Sequence, residues 1–225
     1  MSFTDTAMLI LSTTITICYL SSSIIFIRVA LIIVQIGYFF LALYTGLDQP
    51  GMTAILILSI TNSLINGLKI IQYFYENSIR CLPKELHNLY QSEFHLLSPK
   101  EFKLLYERAG EEERSGELIV ANQTFENLMF VLEGVPIIRL QKGKTIRLTK
   151  SVWLGEMSFL RGEVTSADVL TAPEEKVKLL IWNKHDIDEL QEKQPIIIEK
   201  LRYIIANSLA EKIRYSNTLI ESTFS

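Results

Sequence analysis

The side chains best equipped for chemistry in this sequence gather between Trp153 and Val169. Gly155-Glu156-Met157-Ser158 opens the stretch, a polar loop follows, and Thr165-Ser166-Ala167 closes it. A glycine lets the backbone come close to a bound molecule. The first turn of a short helix starting there would aim unpaired N–H groups at an anion. The Glu156 carboxylate can accept hydrogen bonds from hydroxyl groups. The backbone of the small pair Ser166-Ala167 can donate to a phosphate. Such a set suits holding a ligand more than breaking a bond.

Catalytic alternatives fail on spacing. His87, His95 and His185 are scattered, and no Cys/His cluster suggests zinc. There is no Walker loop, no Gly-x-Ser-x-Gly and no clear nucleophile with a base at hand. Glu111-Glu112-Glu113 reads as a charged, solvated loop. The chain is therefore expected to be no enzyme and to use neither metal nor cofactor.

The stretch resembles the phosphate-binding cassette of cyclic-nucleotide-binding domains. Those cassettes typically read Gly-Glu, small and apolar residues, a short loop, then Pro-Arg-Ser/Thr-Ala-x-Val. Gly155, Glu156, Ser166, Ala167 and Val169 fit that pattern. The resemblance implies a site made by Gly155, Glu156, Met157, Ser158, Thr165, Ser166 and Ala167, with cyclic AMP as ligand and Glu156 on the ribose 2′-hydroxyl. Thr165 stands where the family's Arg would pair with the cyclic phosphate. A hydrogen bond to a charged group contributes about 1.5–3 kcal/mol. Its loss weakens binding by roughly ten- to a hundredfold or more, so Thr165→Arg is expected to strengthen it if the pocket is otherwise intact. Arg161 either compensates or is a solvated loop residue, while Glu163 and Asp168 make the potential less favourable to an anion. A cyclic-nucleotide site and a ligand-free barrel both stay open on these residues.

The elements that must position the stretch fall into two contrasting parts. Asp5, Arg28 and Asp48 are the charged residues of positions 1–68. The other 157 positions (225−68) carry 21 basic and 23 acidic side chains (22−1 and 25−2). An apolar front thus precedes a typical soluble domain. A signal peptide is a poor reading, because a basic start and a cleavage site are missing and the apolar character runs far past ~30 residues. A spanning helix needs about 20 apolar residues. Two spans fit between Phe3 and Leu47 with Ser21-Ser22-Ser23 as the turn, and a third from Met52 to Tyr73 after Pro50. Arg28 lies near the first turn, where its side chain can snorkel. Lys69 at the end of the third span is followed by Arg80 and Lys84, and the second turn has no Lys or Arg. The basic residues place the N-terminus outside and the soluble domain in the cytoplasm. Asn62 and Asn66, one turn apart, are expected to face neighbouring helices. No acidic or basic relay lies at mid-depth to support transport.

Pro83 to Tyr90 reads as a helix with Leu86, Leu89 and Tyr90 on one face, and Ser98-Pro99-Lys100-Glu101 as the start of another. Short strands follow at Glu117–Val120, Leu128–Leu132, Pro136–Leu140, Thr145–Leu148, Val169–Thr171 and Val177–Trp182. Gly134 and Lys142-Gly143-Lys144 mark turns. Regular short strands suggest a jelly roll. Asn183 is the expected N-cap of a helix to Glu192, and a longer helix from Ile196 carries an apolar stripe of Leu201, Ile204, Ile205, Leu209, Ile213 and Ile220. That stripe suits packing, dimerisation or a lid that closes over a ligand. Cys18 and Cys81 imply no disulfide framework; Cys81 is juxtamembrane, where palmitoylation would be physically sensible beside the plain thiol reading.

Three spans, then Leu82-Pro83-Lys84-Glu85-Leu86-His87-Asn88-Leu89-Tyr90, then a cyclic-nucleotide-like barrel, resemble the Popeye-domain family over nearly the whole chain. Animal members carry Asp-Ser-Pro-Glu-Trp and a later Phe-Gln-Val-Thr; this chain has neither and keeps Gly155-Glu156. It looks like a distant relative, a prokaryotic source being one reading. The expected fold class is α+β: three N-terminal transmembrane helices and a β-jelly-roll flanked by helices. The expected parts are a transmembrane region 1–75, a linker with helices 76–110, the roll 111–182 with its cassette 153–169, and C-terminal helices 183–225. The resemblance implies a membrane-anchored cyclic-nucleotide sensor acting through protein partners. The alternative is a membrane scaffold whose degenerate roll serves dimerisation or protein contacts. Expected partners are the lipid bilayer, a cyclic nucleotide and a protein or second copy. Nucleic acid is not expected, since the net charge is −3 and no helix-turn-helix follows the roll.

Overall fold

The protein is described here from a computed structural model covering residues 3–139, 145–148 and 152–224, with backbone alone at 213 and from 215 onward. Leu140, the expected turn Lys142-Gly143-Lys144 and the side chains of Ile213 and Ile220 lie outside the described residues. The chain divides after Cys81 into two compact units.

The first unit is three helices, α1 (Phe3–Cys18), α2 (Ile24–Thr45) and α3 (Met52–Glu76). Ser23 caps α2 by accepting from the Phe26 amide at 3.4 Å. Gly46 (φ +92°) and Gly51 (φ +85°) bound the second turn in conformations that side chains resist. Both α2 and α3 are long and apolar enough to cross a membrane, and only 11% and 6% of their apolar windows are buried within the chain. Core helices of a soluble protein would be largely covered. α1, at 16 residues, is apolar but falls short of the ~20 that a full span needs. Gly37 lets α1 and α2 pack closely, since a Cβ there would sit 2.7 Å from Leu11 Cδ2. Arg28 donates to Asn66 Oδ1 at 3.2 Å, so the cation on α2 is met by an α3 amide. Asn66 therefore faces its neighbour as expected, whereas Asn62 is exposed and lends only its carbonyl to Asn66.

The second unit begins with a 3-10 turn at Lys84–Leu86, α4 (His87–Glu93) and α5 (Pro99–Tyr106). Ser98 and Glu101 form the expected capping box on α5. Eight strands follow: β1 (Gly110–Arg114), β2 (Glu117–Ile119), β3 (Asn127–Glu133), β4 (Pro136–Arg139), β5 (Thr145–Arg147), β6 (Trp153–Leu154), β7 (Asp168–Thr171) and β8 (Val177–Asn183). They make two antiparallel sheets, ordered β1-β8-β3-β6 and β2-β7-β4-β5. A short α6 (Glu156–Arg161) sits between β6 and β7, and α7 (Lys184–Lys193) and α8 (Pro195–Phe224) close the chain.

Alternation along β3 and β8 explains how the layers assemble. Met129, Val131, Leu179 and Ile181 join the core with Leu118, Ile119, Leu154 and Val169. The intervening Phe130 and Trp182 belong to an aromatic cluster with Phe94, Phe102 and Trp153. Both strands are apolar where they are covered on both faces, at Leu128–Val131 and Leu179–Trp182, and polar where they emerge, at Asn127, Glu133, Lys178 and Asn183. The Trp182 indole N–H donates to the Leu105 carbonyl at 2.8 Å, which fixes α5 on that face. Along α8, Leu201, Ile204 and Ile205 are buried and Leu209 is half-buried.

The acidic run corrects the sequence reading. Glu111-Glu112-Glu113 lies in strand β1, paired with β8 from Gly110↔Ile181 to Arg114↔Val177, and is not a loop. Backbone pairing at a sheet edge needs no apolar side chain, and charges there discourage further strand addition. The acidic residues remain exposed, and Lys178 meets Glu111 at 2.6 Å. Trp153-Leu154 also forms a strand that the sequence reading did not assign.

Candidate ligand-binding cleft

Gly155 stands at the junction of β6 and α6 with φ +78°. A Cβ there would lie 2.6 Å from the Asn127 carbonyl oxygen and 2.7 Å from the Phe125 ring. The glycine is thus required for packing on its own chain. Ser158, one turn into α6, donates its hydroxyl to the Phe125 carbonyl at 2.7 Å. Together these contacts pin α6 to the 125–127 segment.

The other edge of the cleft is a second seam. Thr165 is 6% exposed. Its hydroxyl lies 2.5 Å from the Val120 carbonyl and 3.1 Å from that of Gln123, and it accepts from the Gln123 amide at 3.3 Å. Its backbone exchanges two further bonds, with Gln123 and Asn122. Asp168 accepts from the Ala121 amide at 2.8 Å. Thr165 and Asp168 therefore hold the 120–123 turn, and the Thr165 hydroxyl is already committed.

Between the two edges lies one cleft. Gly155, Glu156, Met157, Ser158, Thr165, Ser166 and Ala167 all line it, with Ile119, Ile138 and Trp153 as apolar walls. The sequence reading missed one further residue, Lys212 of α8. Its ammonium donates to Glu156 Oε1 at 2.6 Å and to the Trp153 carbonyl at 2.8 Å. The two side chains are 27% and 14% exposed, which makes this the most shielded ion pair on the cleft. Lys212 lies 56 positions from Glu156 in the chain, and no local motif marks it. The cleft has a volume of about 90 Å³; small-molecule pockets begin at roughly 300 Å³. Arg161 is exposed and pairs with Glu163 at 3.6 Å, outside the cleft lining. His87 is engaged with the Leu82 carbonyl at 3.1 Å. Among the described residues no cluster of His, Cys, Asp or Glu could hold a metal ion.

Two electrostatic ties brace the surroundings. Burial opposes ionisation of Glu101, but Lys200 at 2.7 Å and the Ser98 amide outweigh it and hold the carboxyl below its usual range. This tie joins α8 to α5. Arg108 grips Glu189 at 2.9 Å and, with Lys193, holds that carboxyl at about 2.

The roll has known counterparts. It is similar to a cyclic nucleotide-binding domain from Methylobacillus flagellatus KT, at 17% identity and a TM-score of 0.52, over 61% of this chain and 85% of that one. It also aligns with the catabolite activator protein of Thermus thermophilus, at 24% identity and a TM-score of 0.45. There the match takes in 56% of this chain and 62% of the activator's length. A third match is the N-terminal domain of a transcriptional regulator from Streptomyces coelicolor A3(2), at 19% identity and a TM-score of 0.42, over 56% and 89%. At these identities the likeness concerns the fold. No curated protein matches the chain. The family model POPDC1-3, that of the Popeye-domain proteins, matches residues 3–218. Because that match takes in both the helical unit and the roll, the chain belongs to the Popeye-domain family.

Proposed function

We propose that this protein is a membrane-anchored receptor for a cyclic nucleotide, with cyclic AMP the first candidate, and that it acts by changing its contacts with protein partners. The observation that carries the reading is convergence. Seven cassette residues from two separate chain segments line one cleft of a cyclic-nucleotide-binding-like roll, with Glu156 among them. In this reading Glu156 accepts from a ribose hydroxyl and the Ser166-Ala167 backbone meets the phosphate. The family is regulatory rather than catalytic, which supports a regulatory role for this chain. In this reading the anchor is α2 and α3 with α1 as a third span, its 16 residues accommodated by local thinning of the bilayer. The N-terminus lies outside and the roll in the cytoplasm, because Arg28, Lys69, Arg80 and Lys84 fall on one side.

A second reading has its own support. The cleft is only about 90 Å³, and Glu156 already has a partner in Lys212. A membrane scaffold that uses the roll for protein contacts would need no more. Titration calorimetry of the full chain in detergent micelles, with cyclic AMP and cyclic GMP, separates the two. Saturable heat is the expected result. No heat at millimolar nucleotide would leave the scaffold standing.

A further inference from the structure

Among the described residues, the cleft lining contains one carboxylate, Glu156, and one cation, Lys212. A phosphodiester entering such a site needs a cation, because burying its charge unpaired is costly. Position 165, where a cassette carries Arg, offers a hydroxyl already spent on the 120–123 turn. Arg161 is taken up by Glu163 at the surface. We propose that Lys212 is the phosphate-recognising cation of this cleft, supplied by α8 in place of the arginine that the cassette lacks. The proposal rests on the receptor reading and names the residue that makes it work for an anionic ligand.

The geometry supports this in three ways. An ammonium has three donors. Glu156 and the Trp153 carbonyl take two in the described structure, which leaves one for a phosphate oxygen. The pair also cancels the Glu156 charge, which would otherwise repel a cyclic phosphate across a few ångströms of poorly solvated space. Lastly, four flexible methylenes let the ammonium turn its third donor toward a phosphate oxygen while it stays on the carboxylate. Lys212 sits on the same helix as Lys200, which is tied to Glu101 of α5. Ligand charge would thus be felt on α8.

The test compares cyclic AMP with adenosine, which keeps the base and ribose but has no phosphate. Affinities are measured on the full chain in detergent for wild type, Lys212→Met and Lys212→Arg. Wild type should prefer cyclic AMP. In Lys212→Met that preference should fall by about tenfold or more, the size of one charge-assisted hydrogen bond, with adenosine binding little changed. Lys212→Arg should keep most of the preference, which a purely structural role for the lysine methylenes would not predict. An unchanged or tighter cyclic AMP affinity in Lys212→Met would make Lys212 a bystander or a plug and overturn the proposal. Wild type that binds neither ligand would remove the receptor reading itself, and this assignment with it.

Discussion

At one edge of the cleft, residues 155–158 keep the residue types of a nucleotide cassette and reach outward, through Glu156, to α8. At the other edge, residues 165–168 have lost the cassette's cation and turn inward, onto the 120–123 turn. The contrast shows that a motif can persist in a sequence while its two halves answer to different constraints. The first half has a polar group left for a partner from elsewhere in the chain. In the second, the side-chain polar groups of Thr165 and Asp168 are consumed by local structure. Breaking each edge should therefore have a different signature, and fluorescence of the two tryptophans, Trp153 and Trp182, reads the roll apart from the helical unit.

The largest effect should come from Gly155→Ala. The added methyl meets the Asn127 carbonyl and the Phe125 ring at sub-contact distance, on a backbone with φ +78°. Left-handed backbone costs roughly 1–2 kcal/mol for a residue with a Cβ, and overpacking adds about 1–3 kcal/mol. The melting temperature followed by tryptophan emission should fall by several degrees or more. A melt within a degree of wild type would mean that the 125–127 segment yields freely and that this edge is less fixed than described.

Thr165→Val should cost somewhat less. It keeps the shape but removes the hydroxyl, leaving the Val120 carbonyl and the Gln123 amide short of partners. Unsatisfied buried groups cost about 1–3 kcal/mol. Thr165→Ser should recover most of the loss. Thr165→Arg loses the same bonds and adds a long cation to a buried position. It should melt lower than wild type and fail to tighten cyclic AMP binding, against the simple expectation from the cassette pattern. Tighter binding by Thr165→Arg with an unchanged melt would show that the inward seam is dispensable and the two edges alike.

Much of this was legible beforehand because it is local. The Ser98–Glu101 capping box, the Asn183 cap, the Ser21–Ser23 turn, the apolar α2 and α3 and most strands follow from residue type and spacing. The seven cleft residues were legible through a pattern. What escaped the sequence has no local signal. β1 is charged at nearly every position and is a strand only because β8 is beside it. Thr165 could not reveal that its hydroxyl points back at Val120, 45 positions away. Lys212 looks like any lysine on an exposed helix until the fold brings it to Glu156.

The smallest effect should come from a surface pair that serves as the control for the cleft. Arg108 and Glu189 meet at 2.9 Å, with side chains 27% and 32% exposed. The Arg108 hydrogen bond, helped by Lys193, lowers the Glu189 carboxyl to about 2, whereas an unfolded glutamate titrates near ~4.3. A carboxyl depressed in the folded state contributes stability that is fully present above about pH 4.3 and is lost as the pH falls toward 2. The melting-temperature gap between wild type and Glu189→Gln should therefore be flat from pH 7 to 5 and close below it. Because the pair faces water, the gap should be small and shrink with added salt. The Glu156–Lys212 pair is better shielded, at 14% and 27% exposure, so the gap caused by Lys212→Met should survive the same salt. Equal salt sensitivity at both pairs would mean that the cleft is as wet as the surface, and that a phosphate there gains little from Lys212 over what water already offers.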